Sequence, residues 1–312
     1  MGLEWSEFDV LIIGAGPAGL SAAIWCRDLG LRSALIEKAA ELGGQLHAIH
    51  NPINNYLGIR AKNGSDLLDK FLLSSKEFLP YVNLSSEVMK LDVDTSSLTL
   101  ADGRKLIARA IVLATGVRRR RLNIPGEVES EGRGKLISGV GERESVRGSR
   151  IAIVGGGDAA IENALLLADL AEKVVVIHRR DRLSARPDFV ERVLQDSRIE
   201  ILFETEVAAI NSREVVESID LCDGRTGEMR RLEVDKILIR IGVVPNSEIV
   251  KGIVNLDPDG YVEADASGQT SHKLIYAVGD VAMPRAPTIA TACGMGAAAA
   301  KSIALRLSKV PK

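Results

Sequence analysis

Residues 9–20 read DVLIIGAGPAGL, and residues 150–161 read RIAIVGGGDAAI. Each stretch is a short apolar run, then a glycine-rich turn, then an Ala- and Leu-rich segment suited to a helix. The first turn is Gly14-x-Gly16-x-x-Gly19, and the second is Gly155-x-Gly157-x-x-Ala160. In a strand–turn–helix unit the first glycine makes the tight turn and the second lets the backbone approach a pyrophosphate. The third small residue lets helix and strand pack closely. The intervening Pro17 and Ala18, and Gly156, Asp158 and Ala159, bring helix amides to the same place, where they can hold phosphate oxygens.

The strand that follows each turn extends the match. Glu37 follows Gly14 by 23 positions, and His178 follows Gly155 by 23. In the first copy the apolar run ends in Glu37-Lys38. A carboxylate there accepts both hydroxyls of an adenosine ribose. In the second copy, VVVIHRRDR at 174–182, the acid is replaced by His178-Arg179-Arg180. A 2′-phosphate repels a carboxylate and suits guanidinium groups. The first module therefore expects a dinucleotide with a free 2′-hydroxyl, and the second expects NADPH.

The duplication continues. SSEVMKL at 85–91 parallels ETEVAAI at 204–210, ADGRKL at 101–106 parallels CDGRTGEMRRL at 222–232, and AIVLATGVRR at 110–119 parallels KILIRIGVVP at 236–245. The chain reads as two homologous nucleotide-binding units.

The bulk numbers agree. The 312 residues have room for about two domains. The chain is 46% hydrophobic and 26% charged, the balance of a globular protein with a large core. Its net charge of −2 gives no broad case for nucleic acid or an anionic membrane. Aromatics at 4% argue against stacking platforms for single strands. Cys26, Cys222 and Cys293 are odd in number and widely spaced, which suggests a reducing compartment and neither a disulfide framework nor a metal site. The apolar run at 10–26 is broken by Gly14, Gly16, Pro17 and Gly19 and has no basic leader. It is expected to be neither a signal peptide nor a membrane span. The opening MGLEWS fits a myristoylation pattern only formally.

In this order, GAGPAG, IEKAAELGGQL, VLATG, GGGDAAIENA, HRRD and YAVGD resemble the low-molecular-weight thioredoxin reductases and the related flavin-dependent ferredoxin–NADP reductases. The likeness covers essentially the whole chain. It implies an α/β fold with two Rossmann-like, three-layer ββα dinucleotide-binding domains. Residues 1–118 and 243–312 would form the FAD domain, and 119–242 the inserted NADPH domain. It also implies a cytoplasmic homodimer.

Carried over residue by residue, Gly14, Gly16 and Gly19 would hold the FAD pyrophosphate and Glu37 the ribose. Gly44, Gln45 and Asn55 would approach the flavin, and Val88 would offer backbone groups to the adenine. Ala114, Thr115 and Gly116 form the ATG turn. Gly279 and Asp280 would meet the ribityl and phosphate region. Thr288 and Ile289 would open the last helix, whose dipole suits negative charge on reduced flavin. Arg186, Ile241 and Gly242 belong to the expected NADPH site. His47 and His50 read as loop residues, and His272 has no supporting context.

Two departures matter. The stretch aligned with the redox Cys-x-x-Cys pair of thioredoxin reductases is Ser138-Gly139-Val140-Gly141, and serine cannot cycle between thiol and disulfide. The C-terminal extension of the ferredoxin reductase branch is not expected, since 16 residues follow Gly296. The third arginine of the phosphate motif is Ser184, so Arg182 or Arg186 would substitute. The expectation is an enzyme that passes electrons from NADPH through FAD to an unidentified acceptor, a small molecule or redox protein, without a Cys-x-x-Cys relay. Alternatives are a ferredoxin or flavodoxin–NADP reductase, a disulfide reductase using Cys293, and a non-catalytic FAD or NADPH sensor.

Overall fold

The computed structural model describes residues 6–75, 81–132, 136, 140–212, 217–282 and 286–308. The chain separates into two compact units, Met1–Arg118 with Val244–Lys312, and Arg119–Val243.

The first unit begins with β1 (Ser6–Ile13), α1 (Pro17–Asp28), β2 (Ser33–Ile36), α2 (Gly64–Ser75) and β3 (Tyr81–Asn83). Then come β4 (Val88–Asp92), β5 (Ser97–Leu100), β6 (Lys105–Leu113) and β7 (Val117–Arg119). Their sheet runs β3-β2-β1-β6-β5-β4. The β3, β2, β1 and β6 pairings are parallel, while β4 and β5 form an antiparallel meander on β6. Alternation along the parallel strands sets the two faces. Val10, Ile12, Leu35, Ala110 and Val112 share one core with α1 and α2. Leu11, Ile13, Ala34, Ile36 and Ile111 share the other with Leu91, Leu98 and Leu100 of the meander. Each fully buried Leu or Ile contributes about 1.5–3 kcal/mol.

The second unit contains α3 (Glu127–Gly132), β8 (Arg150–Val154), α4 (Asp158–Leu167), β9 (Lys173–Ile177), α5 (Pro187–Gln195) and β10 (Ile199–Leu202). They are followed by β11 (Thr205–Ser212), β12 (Glu217–Asp223), β13 (Met229–Val234) and β14 (Lys236–Ile239), and β15 (Val243–Pro245) leads back into the first unit. A parallel sheet ordered β10-β9-β8-β14 lies beside an antiparallel meander ordered β11-β12-β13. Ile151, Ile153, Val174 and Val176 pack on α4 and α5. Ala152, Val154, Val175 and Ile177 pack on Ile219 and Leu221 of the meander. This is the three-layer ββα arrangement expected from the sequence.

The chain then returns to the first unit. There β16 (Ile275–Ala277) pairs in parallel with the second half of β6. The closing helix α6 (Ile289–Ser308) lies along α1. Small residues set that approach: a methyl on Gly296 would run into the Ala18 carbonyl and the Ala22 amide of α1.

Candidate functional site

The two glycine turns are built alike, bond for bond. Gly14 N–H donates to Ile36 O at 2.8 Å, and Gly155 N–H to Ile177 O at 3.0 Å. Ala114 N–H donates to Ile13 O at 2.8 Å, and Arg240 N–H to Val154 O at 2.7 Å. Beyond each second strand, Glu37 N–H donates to Asn83 O and His178 N–H to Leu202 O, at 2.8 and 2.9 Å. Gly14 has φ +103° and Gly155 φ +142°, a backbone region open to glycine. A methyl on either would strike the carbonyl of Ala114 or of Arg240.

The middle glycines are different. A methyl on Gly16 would meet nothing within 4 Å, and one on Gly157 only Ser184 Oγ at 3.7 Å. Both residues are helix N-caps with no side-chain capping bond. Each helix therefore presents amide donors that no side-chain cap takes, beside open space, which is the requirement of a bound pyrophosphate. Gly19 and Ala160 close the helix onto the turn: Gly19 leaves no room for a methyl against Gly14 O, and Ala160 is fully buried. Pro17 and Ala18 occupy the first turn of α1, and Asp158 and Ala159 that of α4.

Glu37 is buried, with Oε2 accepting from Ala15 N–H at 2.7 Å and Oε1 from Ala39 N–H at 2.8 Å. It lines a cavity of about 360 Å³ with Gly14, Lys38, Val88 and Thr115. Each carboxylate oxygen keeps a second lone pair for a ribose hydroxyl. Arg118, Asn246 and Glu248 also line this cavity, and sequence reasoning missed them. Asn246 is latched to the ATG turn: Thr115 Oγ1 donates to its carbonyl at 2.6 Å, and its Nδ2 donates to Thr115 O at 2.8 Å. Arg118 reaches Asn246 Oδ1 at 2.8 Å and Glu248 Oε1 at 2.6 Å. No local spacing signals a link across some 130 positions.

The residues expected on the flavin side converge on the same turn. A methyl on Gly44 would come 3.1 Å from the Gly16 Cα, one on Gly116 3.6 Å from Gln45 Nε2, and one on Gly279 2.9 Å from the Ala18 Cβ. Gln45 Nε2 donates to Asp280 Oδ2 at 3.1 Å. Burial raises the Asp280 carboxyl above its usual range, and the Gln45 bond opposes the shift. Thr288 caps α6, with Thr291 N–H donating to its Oγ1 at 3.1 Å, and Ile289 opens the helix. Asn55 is exposed in the loop following Ile53 and does not line the Glu37 cavity. His47 binds the Leu42 carbonyl at 2.7 Å, and His272 serves a turn before Leu274.

In the second unit Arg179, Arg180 and Arg182 are exposed beyond β9, with no acidic partner among the described residues. His178 stands apart from them. It is buried at 8% exposure, its Nε2 meets the Arg182 carbonyl at 2.9 Å, and its ring lies against Gly156. Burial lowers its pKa, with Arg180 and Arg179 adding to the shift and the Arg182 bond opposing it. Ser184, at the missing third arginine, anchors the loop: its amide and Oγ both donate to Gly156 O, at 2.8 and 3.2 Å. Arg186 Nε pairs with Asp158 Oδ2 at 3.0 Å, and its guanidinium lies 4.2 Å from the Phe189 ring centroid. The charge of Asp158 at the α4 N-terminus is thereby balanced by Arg186. Ile241 is half-buried, and Gly242 is exposed with φ +95°.

Ser138 and Gly139 lie outside the described residues, while Gly141 falls in the short 3-10 segment Val140–Val146. Cys26, Cys222 and Cys293 are all free thiols. Cys293 sits beside the first turn, its thiol donating to Pro17 O at 3.8 Å. Burial pushes that thiol up, partly offset by the Tyr56 hydroxyl.

Two uncapped helix starts over open glycine turns, one beside a buried carboxylate and one beside exposed arginines, mark two dinucleotide-binding modules. The chain belongs to the pyridine nucleotide-disulphide oxidoreductase family, whose model matches residues 8–296. It is 31% identical over 301 residues to thioredoxin reductase of Bacillus subtilis, covering 96% of this chain and 95% of that one. Among solved structures it is similar to Lactococcus lactis thioredoxin reductase, with a TM-score of 0.82 at 29% identity, over 97% of this chain and all of that one. Thioredoxin reductase of T. acidophilum gives 0.80 at 27%, over 97% and 99%. The protein is a thioredoxin reductase-like oxidoreductase, and its cofactors are FAD and NADPH. Among the described residues, no helix is long and apolar enough to cross a membrane.

Proposed function

We propose that this enzyme passes electrons from NADPH to an acceptor other than a protein disulfide relayed by Cys-x-x-Cys. The observation that carries this reading is the Ser138-Gly139-Val140-Gly141 stretch, which has no sulfur where the related reductases hold the redox pair. FAD, when bound, supplies the step between the two-electron hydride donor and the acceptor. The chain's own residues bind and orient. Gly16 and the α1 amides take the FAD pyrophosphate, Glu37 the ribose, and Gly44, Gln45 and Asp280 the flavin side. Gly157 and the α4 amides take the NADPH pyrophosphate, and Arg179 and Arg180 its 2′-phosphate. No side-chain acid or base is required for hydride transfer; position and electrostatics suffice.

The Cys293 alternative is disfavoured. A nucleophilic thiol needs a lowered pKa, and burial moves this one upward. We further propose that the protein acts as a cytoplasmic homodimer, a reading supported by its likeness to the family.

The test is anaerobic reduction of the FAD-loaded protein by NADPH, followed by a screen of acceptors. Flavin bleaching, with reduction of a quinone or dye and none of thioredoxin, is expected. Efficient thioredoxin turnover would overturn the proposal, and absence of bleaching would favour the sensor alternative.

A further inference from the structure

A second cavity, of about 530 Å³, lies in the first unit where the parallel strands begin. It touches the start of β2 at Ser33, the first residue of β3 at Tyr81, and the start of β6 at Lys105. Gly14 follows the opposite end of the sheet, about 20 Å from Phe8 at the rise of a strand. The cavity is therefore separate from the Glu37 site and makes no demand on hydride transfer.

Its lining is cationic. Arg27, Arg32, Arg104 and Lys105 all face it, and no acidic residue lines it among the described residues. Arg104 is held by Asp102 at 2.6 Å. The other three side chains have no acidic partner among the described residues. Gathering like charges around one hollow is unfavourable unless an anion completes it. The cavity also offers a ring surface. Arg32 lies 5.1 Å from the Phe8 centroid and Phe8 stacks on Tyr81 at 6.5 Å, while Tyr81 is 53% exposed.

We propose that this cavity binds a nucleotide-sized phosphate ester with a planar ring. Arginine forks match phosphate oxygens, and Tyr81 stacks on the ring. The volume is that of a small-ligand site. Occupancy stabilises the first unit by mass action and leaves the chemistry at the glycine turns untouched.

The experiment is calorimetric titration of the FAD-loaded protein, saturated with NADP⁺, using ADP, pyrophosphate and adenosine as probes. One additional ADP site is expected, with pyrophosphate about tenfold weaker for want of the stacked ring and adenosine weaker still. Arg27→Glu with Lys105→Glu, both exposed positions, should weaken ADP at least about tenfold without changing NADPH oxidation. Arg179→Ala with Arg180→Ala should leave the additional site intact. The proposal is overturned by no additional site at about 5 mM ADP, or by equal binding of ADP and pyrophosphate. It is also overturned by a site that follows Arg179 and Arg180 rather than Arg27 and Lys105.

Discussion

The imidazole of His178 lies against Gly156 so closely that a methyl group there would collide with the ring. The same two places in the first unit hold Glu37 and Ala15, joined by a 2.7 Å hydrogen bond from the Ala15 amide to Glu37 Oε2. One architecture thus uses two locks between the glycine turn and the following strand end, a carboxylate on an amide and a ring on a glycine. In the second, the ring faces inward, and the arginines that follow are left exposed.

Gly156→Ala should therefore displace His178 and the loop it anchors through the Arg182 carbonyl. NADPH affinity should fall about tenfold or more, with roughly 1–3 kcal/mol of stability lost to overpacking. FAD content should not change. Adding His178→Ala makes room for the methyl, so the double variant should recover stability relative to Gly156→Ala alone, with a coupling of about 0.5–3 kcal/mol. Denaturant unfolding of the four chains measures it, and simple additivity would disprove the lock.

Glu37→Gln replaces one acceptor oxygen by an NH₂ group facing a backbone amide. Whichever way the side chain turns, either the Ala15 or the Ala39 N–H loses its partner. A buried donor left unpaired costs about 1–3 kcal/mol, and the ribose loses a charged acceptor as well. The variant should be purified pale or colourless, with flavin uptake measured by the absorbance of added FAD. Retention of full FAD occupancy would show that the carboxylate does not meet the ribose.

Arg179→Ala with Arg180→Ala should weaken NADPH by about tenfold or more per residue, since charged hydrogen bonds contribute roughly 1.5–3 kcal/mol each. NADH should be nearly unaffected. Cofactor titrations of flavin reduction decide it. Equal loss of both nucleotides, or a wild-type preference for NADH, would remove the 2′-phosphate assignment.

Much of this was legible in the sequence because covalent spacing and geometry coincide. Gly14 and Gly155 each start a turn that only a positive φ closes, and the 23-position interval carries the chain through helix and strand to Glu37 and His178. The short apolar runs before each turn likewise read as strands, and both are buried in the sheets. The rest depends on contacts between distant segments. His178 and Arg179 are adjacent in sequence and indistinguishable there as basic residues, yet one side chain is buried and the other exposed. Arg186 reads as a phosphate ligand, but Asp158, 28 positions earlier, already holds it. Asn246 latching the Thr115 turn has no local signature at all.

Cys293 should be a poor nucleophile at neutral pH. Burial raises its thiol pKa, partly offset by the Tyr56 hydroxyl, and only the thiolate is reactive. Alkylation of the native protein by iodoacetamide should be slow at pH 7 and accelerate as the pH rises. Cys293→Ser should keep NADPH-dependent dye reduction. Rapid labelling of Cys293 at pH 7 together with loss of activity would revive the thiol reading.

Cys26 provides a pH signature of the α1 packing. It is fully buried in the helix that follows the first glycine turn, and burial, with a smaller contribution from Asp9, pushes its thiol from 9.0 up to about 12. The unfolded chain ionises this group near its ordinary value, while the folded chain holds it neutral. Its contribution to stability is therefore complete below about pH 9 and is lost as the pH rises toward 12. The full window corresponds to at most about 4 kcal/mol, at 1.36 kcal/mol per pKa unit. Cys26→Ala removes the titrating group and lowers stability at pH 7 through the space it leaves, by about 1–3 kcal/mol. The gap between wild type and variant should then narrow by about 2 kcal/mol from pH 8 to pH 10.5. Urea unfolding at the two pH values measures that gap. A gap that stays constant would mean that the Cys26 thiol ionises as readily in the folded protein as in the unfolded chain.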